Sequence, residues 1–422
     1  MTIELVRRPG QTATDLGRLE TLLSVRGIAV STTPSYALAG LAPPEKMKGL
    51  HAAATLLVSA IQQRSRILII GDYDADGATS VALMIEGLGL LGARHVEYLV
   101  PNRFEFGYGL SPELVDLALT QRPDLIITVD QGIVSFEGVA VAKAADVRVI
   151  VTDHHLPGQG LPAADAIVNP NQNDCEFPSK ALAGVGVAFY LLIKTRALLA
   201  AARPEGNDRV NLAQLLDLVA LGTVADLVPL DDNNRRLVQS GINRIRAGQA
   251  RPGIQALIEI SGIDHRVLTT TQLAFNVAPR LNAAGRLEDM SLGVACLLST
   301  TDGAHASAAR LDALNLERRE IEHSMQAQAA ELLLDRDRAQ DSAQFGISLF
   351  DSRWHEGVVG ILASRVRAQC ARPVFAFAEA SNGLLKGSGR SIEGLQLRDL
   401  LAEIDAARQG LLQKFGGHAM AA

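Results

Sequence analysis

Acidic residues and histidines follow several apolar segments of this chain. Residues 71–80 read GDYDADGATS and come directly after RILII, so Asp72, Asp74 and Asp76 alternate where a buried strand would end. Three later segments repeat the arrangement: DLIITVDQG carries Asp130, VRVIVTDHH carries Asp153, His154 and His155, and LVALGTVADLVPL carries Asp226. Each acid alone has a structural explanation, because Asp caps helices well and the neighbouring glycines mark tight turns.

Taken together, these residues indicate a metal centre. Parallel strands bring their carboxyl ends to one edge of a sheet, which is where α/β proteins bind ligands. Carboxylates gathered there repel one another unless cations neutralise them. Carboxylates with one imidazole suit Mn²⁺ or Mg²⁺, whereas a closed zinc site needs thiolates or more imidazoles. Two such ions are typical of in-line displacement at phosphorus, and Asp153 is suited to accept the proton of a ligating imidazole.

Composition narrows the class of protein. The chain has 422 residues, which predicts two or more domains, and its net charge of −6 excludes a uniformly basic nucleic-acid binder but not a local basic groove. Its three cysteines are widely separated, which argues against a zinc ribbon or a disulfide framework. The first residues lack the apolar core of a signal peptide, and no apolar run is long enough to span a bilayer. We therefore expect a cytoplasmic protein without a membrane segment.

The alternation of apolar and helical stretches predicts the domains. From about residue 47, short apolar runs such as RILIIG, HVEYLV, DLIITVD, VRVIVTD and DAIVN alternate with amphipathic helices, which predicts an α/β domain with a mostly parallel sheet. Residues 304–340 contain no Gly or Pro and predict one long helix that bridges domains. We expect an N-terminal segment at 1–46, a catalytic domain at 47–303, the connector helix, and a second, smaller α/β domain at 341–422. The ending KFGGHAMAA suggests that the natural chain continues.

Cations beside glycines predict a phosphate-binding half of the site. APRLNAAGR supplies Arg280 and Arg286 around Asn282, and KGSGRS, interpreted as a glycine-rich turn, supplies Ser388 and Arg390. Glycine lets backbone N–H groups approach phosphate, and arginine makes bidentate contacts with it. The structural alternative is that these arginines only solvate the surface.

Two further motifs have weaker functional readings. AGVGVAF at 183–189 resembles a dinucleotide-binding loop only loosely and lacks a strand before it, so we assign it to helix packing. Trp354 in SRWHEGVVG suits either the stacking of a base or a place in the core.

The motifs, in order, resemble a known family. DYDADG, VDQG, DHH and TVADLVPL resemble the first four motifs of the DHH phosphoesterase superfamily. PNRFEFGYGL, FNVAPRLNAAGRL, SRWHEGVVGILASR, GSGRS and FGGH are similar to the RecJ family of bacterial single-strand-specific 5′-to-3′ exonucleases, over residues 20–418. The resemblance implies a DHH-type catalytic domain and an incomplete DHHA1-type substrate-binding domain.

The resemblance also implies roles for single residues. It implies two bound ions, Mn²⁺ or Mg²⁺, with these ligands: Asp74, Asp76, Asp130, His154 and Asp226. Asp72 is expected beside the ions at the rim, and His155 is expected to face the scissile phosphate. It implies that Arg103 lines a pocket for the 5′ end and that phosphates and the terminal nucleotide contact Arg280, Asn282, Ser388, Arg390, Gly416, Gly417 and His418. Two positions depart from the family pattern: Ile70 stands where some members carry His, and Gln131 follows Asp130 where a small or amide residue is common.

The function implied is metal-dependent 5′-to-3′ hydrolysis of single-stranded DNA in DNA repair and recombination. The implied partners are single-stranded DNA, a single-strand-binding protein and a helicase, and the protein is expected to be a monomer. Three alternatives remain open at this point. They are a DHH phosphoesterase for short oligonucleotides or cyclic dinucleotides, a non-catalytic scaffold of the same fold, and a nucleotide-dependent oxidoreductase that rests on the α/β pattern alone.

Overall fold

The structure is a computed structural model that covers most of the chain. It describes Thr21, Ser24 and residues 36–422, apart from 159, 203–209, 339–344, 381–382, 409, 414 and 416–419. The predicted site residues Gly416, Gly417 and His418 lie outside the described residues.

A five-stranded parallel sheet forms the centre of the first domain. Its spatial order is β2–β1–β3–β4–β5, and every neighbouring pair is parallel. The strands are β1 Arg66–Gly71, β2 His95–Leu99, β3 Leu125–Val129, β4 Arg148–Thr152 and β5 Ala166–Val168. All of β3 and most of β1 and β4 are buried, because helices cover both faces of the sheet. The predicted α/β fold with a mostly parallel sheet is confirmed.

Helices pack on both faces of this sheet. One face carries a small apolar core with two helices, α3 Pro112–Leu119 and α4 Phe136–Ala144. The other carries the large core and most of the helices: α1 Leu50–Gln63, α2 Ala75–Leu90, α5 Gly184–Ala202, α6 Leu216–Ala225, α7 Asp232–Arg246, α8 Pro252–Ile260, α9 Ala278–Leu287 and α10 Ser291–Leu298. A π-helical turn, Leu273–Val277, leads into α9.

Helix α5 is long and apolar enough to cross a membrane by length and composition. It packs against α1, α2 and α6, and most of its first half is buried inside the protein. A core helix of a globular domain passes the same test, so α5 gives weak evidence of a membrane span.

One long helix, α11, runs over Thr301–Arg338. Its first half contributes Ala304, Ala308, Leu311 and Leu314 to the large core of the first domain. Farther along, Met325 and Ala329 enter the core of the second domain. The helix therefore does more than bridge the domains, because one side of it is buried in each core.

The second domain contains a three-stranded sheet of order β6–β7–β8. Its elements are β6 Ile347–Phe350, α12 Val359–Cys370, β7 Val374–Glu379, β8 Leu385–Arg390 and α13 Leu397–Ala407. Trp354 is 3% exposed and donates from its indole nitrogen to Gln328 Oε1 at 2.9 Å, so it belongs to the core and not to a base-stacking surface.

The segment predicted as a glycine-rich turn is strand β8, which pairs antiparallel with β7. The turn prediction is wrong because the glycines have a packing reason. A Cβ atom at Gly387 would lie 2.4 Å from the ring of Phe377, and one at Gly389 would lie 2.5 Å from the ring of Phe375. The two phenylalanine rings therefore cover the backbone of β8 where side chains would otherwise stand.

Candidate metal centre and phosphate-binding cleft

The first acidic loop leaves the carboxyl end of β1 and turns directly into α2. Asp74 is the N-cap of α2, and its side chain accepts a hydrogen bond from the N–H of Gly77 at 3.0 Å. Asp76 lies in the first turn of the helix and is 1% exposed. Asp72 is 5% exposed, so its expected place at the rim is wrong. It is buried because the loop turns inward, toward Asp130 at the end of β3.

The second loop holds Asp130 in an uncommon backbone conformation. Asp130 has φ of 61°, in the left-handed region, which non-glycine residues seldom adopt and which occurs often at functional sites. A Cβ atom at Gly184, in the first turn of α5, would lie 2.4 Å from Asp130 Oδ1. Only glycine at 184 therefore leaves room for this carboxylate.

His154 and Asp226 complete the cluster from two other elements. His154 follows β4, and Asp226 is the C-cap of α6. The His154 Nε2 atom lies 3.2 Å from Asp130 Oδ1 and 3.4 Å from Asp226 Oδ2. Possible ligand atoms lie within 4.8 Å of one another in three groups: Asp72, Asp74 and Asp130; Asp76, His154 and Asp226; and Asp130, His154 and His155.

The N-terminus of α5 holds Asp76 in place. Its carboxylate accepts hydrogen bonds from the N–H of Gly184 at 2.7 Å and of Val185 at 3.0 Å. A Cβ atom at Gly222 in α6 would lie 2.8 Å from Asp76 Oδ1. The motif AGVGVAF serves helix packing, as predicted, but it is also part of the site. The N–H groups at the start of its helix donate to the carboxylate of Asp76.

Burial and mutual repulsion act on these carboxylates when no cation is present. Burial, with the charge of Asp74 added, raises the pKa of Asp72 to about 8 and that of Asp76 to about 7. Burial and the neighbouring acids raise the pKa of Asp226 to about 8 and that of Asp130 well above its usual value. The carboxylates therefore repel one another when they are charged, and a bound cation would reduce this repulsion.

The residues present fit divalent metal ions. Asp130 Oδ1 is buried and accepts no hydrogen bond from the part of the chain that the structure describes. Such an atom among converging carboxylates suits a hard cation with oxygen ligands, and the single imidazole of His154 suits Mn²⁺ as well as Mg²⁺. The ions would be held by these side chains: Asp74, Asp76, Asp130, His154 and Asp226, with Asp72 close enough to join them.

Asp153 contacts the ring of His155 and accepts the backbone N–H of the ligand candidate His154. Asp153 is fully buried, and its Oδ1 lies 2.7 Å from Nδ1 of His155. Burial lowers the pKa of His155, but the hydrogen bond to Asp153 and the charges of the surrounding carboxylates together outweigh it and raise that pKa to about 9. Our expectation that Asp153 accepts the proton of a ligating imidazole stays a prediction, and the imidazole that it contacts is that of His155. Two residues that sequence reasoning missed hold the same turn: the side-chain amides of Asn169 and Asn171 donate to the carbonyls of His155 and His154.

Two tyrosines, which the sequence did not single out, cover one side of the cluster. The Tyr108 hydroxyl lies 3.2 Å from Nδ1 of His155, and its ring contacts Tyr73 edge-on. The guanidinium of Arg103 lies over the Tyr73 ring, 4.7 Å from its centre. The motif PNRFEFGYG thus reaches the site with both its arginine and its tyrosine.

Arginines from both domains face each other beside the acidic cluster. Burial and the charges of Arg103 and Arg318 lower the pKa of Arg286 to about 10, and burial and Arg103 lower the pKa of Arg390. Among the described residues, neither Arg286 nor Arg390 forms an ion pair with a carboxylate. Arg286 donates to the Gly357 carbonyl at 3.3 Å, and Arg390 donates to Ser388 Oγ at 2.9 Å. Unpaired guanidinium groups brought this close favour an anion between them.

The structure brings Arg103, Ser388 and Arg390 toward this cleft, but not Arg280. Arg280 pairs with Asp312 of α11 at 2.8 Å. Its guanidinium group therefore binds a carboxylate of the protein where we expected a phosphate. Asn282 Oδ1 accepts the N–H of Ala75 at 2.8 Å, so Asn282 braces the first acidic loop. Neither partner was visible in the sequence, because each lies more than thirty residues away along the chain.

Comparison with known proteins agrees with this architecture. Residues 66–223 match the family model described as "DHH family, N-terminal domain", and residues 342–422 match the "DHHA1 domain". The single-stranded-DNA-specific exonuclease RecJ of Salmonella typhimurium is 53% identical over 96% of this chain and 71% of its own length. RecJ of Escherichia coli is 51% identical over 100% of this chain and 74% of its own length.

A solved structure is also similar. A crystal structure of exonuclease RecJ bound to manganese superposes with a TM-score of 0.74, at 36% identity over 89% of both chains. The sequence identities, the two matched domains and this superposition show that the chain belongs to the RecJ family of DHH phosphoesterases.

Proposed function

We propose that this protein is a metal-dependent exonuclease that hydrolyses single-stranded DNA from its 5′ end. One observation carries the proposal: a cluster of carboxylates and histidines at the sheet edge adjoins a group of arginines that form no ion pair with a carboxylate in the part of the chain that the structure describes. Family membership adds support, because the similar proteins are named as single-stranded-DNA-specific exonucleases. The 5′-to-3′ polarity is the one that the family resemblance implies.

Metal ions held by the acidic cluster would supply Lewis-acid activation of the scissile phosphate and of the attacking nucleophile. The protein side chains have separate tasks. The two loops and His154 fix the positions of the cations, while the N-terminus of α5 holds Asp76. Asp153 favours the protonated form of His155, so this side chain would donate a hydrogen bond to a phosphate oxygen and stabilise charge on the leaving group.

The arginines would bind the 5′-terminal phosphate. Arg103 comes from the first domain, Arg286 from α9, and Arg390 from β8 of the second domain. Bidentate arginine contacts suit a terminal phosphate with its extra charge. Because the site is assembled between two domains that contact each other through Arg286 and Gly357, we infer that a single strand lies in the cleft and that a duplex is too wide for it.

The cellular setting follows from the same proposal. We propose a cytoplasmic monomer that acts in DNA repair and recombination, with a helicase and a single-strand-binding protein as partners that prepare its substrate. The net charge of −6 agrees with a confined basic cleft instead of a basic surface.

Substrate choice and metal dependence together test the proposal. The protein is incubated with MnCl₂ and either a 5′-phosphorylated single strand, the matching duplex, or a dinucleotide. We expect mononucleotides from the single strand, little product from the duplex, and none after chelation. The matched variant Asp76→Asn should abolish cleavage yet still bind the single strand. Preferential turnover of the dinucleotide would favour the phosphoesterase of short oligonucleotides, and metal-independent cleavage would contradict the proposed chemistry.

A further inference from the structure

Gln131 is a buried amide placed between the two acidic loops. It is 0% exposed and follows Asp130 directly. Its Nε2 donates to the carbonyl of Gly71 at 2.6 Å and to that of Ile70 at 3.3 Å, the last two residues of β1. Asp72 comes immediately after them. The Gln131 side chain therefore connects the loop that carries Asp130 to the strand end that precedes Asp72.

The amide extends the β1–β3 ladder past its end. Backbone pairing of the two strands stops at Gly71 opposite Val129, one residue before each acidic loop begins. Beyond that point the structure links the two strand ends through the Gln131 side chain. Only the NH₂ end of an amide can donate, so two carbonyl neighbours fix which way the group faces.

The turn that carries Gln131 is itself rigid. Thr128 Oγ1 donates to the Gln131 carbonyl at 2.8 Å, and a Cβ atom at Gly132 would lie 2.5 Å from the same hydroxyl oxygen. These contacts on the residues that follow Asp130 restrain its left-handed backbone conformation. A movement of Gln131 would therefore move the Asp130 carboxylate.

We propose that Gln131 is a positioning residue that holds the two acidic loops at the separation required for tight metal binding. The inference rests on the proposed function, since it assumes that the loops ligate ions. The loops repel each other when all their carboxylates are charged, and the amide opposes that repulsion without adding charge. Groups that orient metal ligands change metal affinity by about 10–100-fold when they are lost.

Calorimetric titration with MnCl₂ measures this role without relying on activity. Gln131→Met keeps the length of the side chain and removes the donors, so we expect the dissociation constant for Mn²⁺ to rise by about tenfold. Gln131→Asn keeps the amide but shortens the side chain by one methylene; it is expected to weaken binding to a smaller degree, and it decides the matter if Gln131→Met does not fold.

The matched control is Asn233→Leu. Asn233 is another buried amide, but its Oδ1 accepts hydrogen bonds from the N–H of Ala42 and the hydroxyl of Tyr190. This variant should lower the melting temperature and leave the Mn²⁺ dissociation constant unchanged. Wild-type affinity in both Gln131 variants would overturn the inference. Absence of Mn²⁺ binding by the wild-type protein would instead overturn the proposed function, so the two failures are distinguishable.

Discussion

At the scale of single residues, position around one helix decides which arginine reaches the cleft. Arg280 and Arg286 lie on α9 six residues apart, which places their side chains about 120° apart around the helix axis. Arg280 pairs with Asp312, whereas Arg286 adjoins Arg103 and Gly357. The sequence revealed that both arginines belong to one motif, but a distant partner on α11 decided their orientation.

Substituting the two arginines separates their roles. We expect Arg286→Met to weaken affinity for single-stranded DNA and to reduce the slope of log affinity against log salt by about one, because one phosphate contact is lost. Arg280→Met should leave this slope as in the wild type, because its charge is already paired with Asp312. Fluorescence anisotropy over a salt series measures both variants, and equal slopes for the two would contradict the assignment.

The raised pKa values predict how the metal-free protein responds to pH. Asp72, Asp76 and Asp226 have pKa values of about 8, 7 and 8 in the folded state, above the normal value of 3.8. Between pH 3.8 and these values, the folded state therefore binds more protons than the unfolded state. Stability must then fall as pH rises through this window. His155 acts in the same direction, since its pKa is raised from 6.5 to about 9.

Melting curves of chelator-treated protein test this linkage. We expect the melting temperature to fall steadily from pH 5 to pH 8, and Mn²⁺ to restore more stability at pH 8 than at pH 5, because its ligands must be deprotonated. A melting temperature that rises over this range would show that the carboxylates are not buried together.

At the scale of elements, the strands of the first domain were predictable and β8 was not. Continuous apolar runs such as RILIIG and DLIITV are typical of strands buried on both faces, and both form strands where predicted. The segment LKGSGR has no apolar alternation, and its strand conformation depends on Phe375 and Phe377 of its neighbour. Local pattern could not reveal a strand whose packing is provided by another strand.

An ion cluster around a buried arginine joins the far ends of two helices that carry site residues. Arg251, whose side chain is 7% exposed, pairs with both oxygens of Asp217 in the first turn of α6 and with Glu86 in the last part of α2. The opposite end of α6 bears Asp226, and that of α2 bears Asp76. The cluster therefore fixes the packing of the two helices from the side away from the metal centre.

Breaking this cluster should destabilise the domain. Arg251→Met leaves Asp217 charged and buried, so we expect the free energy of unfolding in urea to fall by about 3–5 kcal/mol. The control is Arg266→Met, which removes an exposed ion pair with Asp264 and should change stability little. Similar losses for the two variants would show that the Arg251 cluster is not a special support.

At the scale of the whole molecule, the site depends on contacts between the two domains. A Cβ atom at Gly357 would lie 2.0 Å from the Arg286 carbonyl, and Lys386 Nζ donates to the Arg103 carbonyl at 3.4 Å. Phe104 contacts His355 edge-on, and Lys386 pairs with Glu356. The sequence predicted a second, smaller domain after the long helix, but contacts between residues nearly three hundred positions apart could be seen only in the folded chain.

We propose that two divalent ions bind where the loops after β1, β3 and β4 meet the end of α6. Anomalous diffraction at the manganese edge, from crystals of this protein soaked in MnCl₂, tests it most directly. We expect two peaks within ligand distance of the cluster formed by Asp74, Asp76, Asp130, His154 and Asp226. Peaks elsewhere, or none at this cluster in crystals that bind Mn²⁺ at other sites, would contradict it.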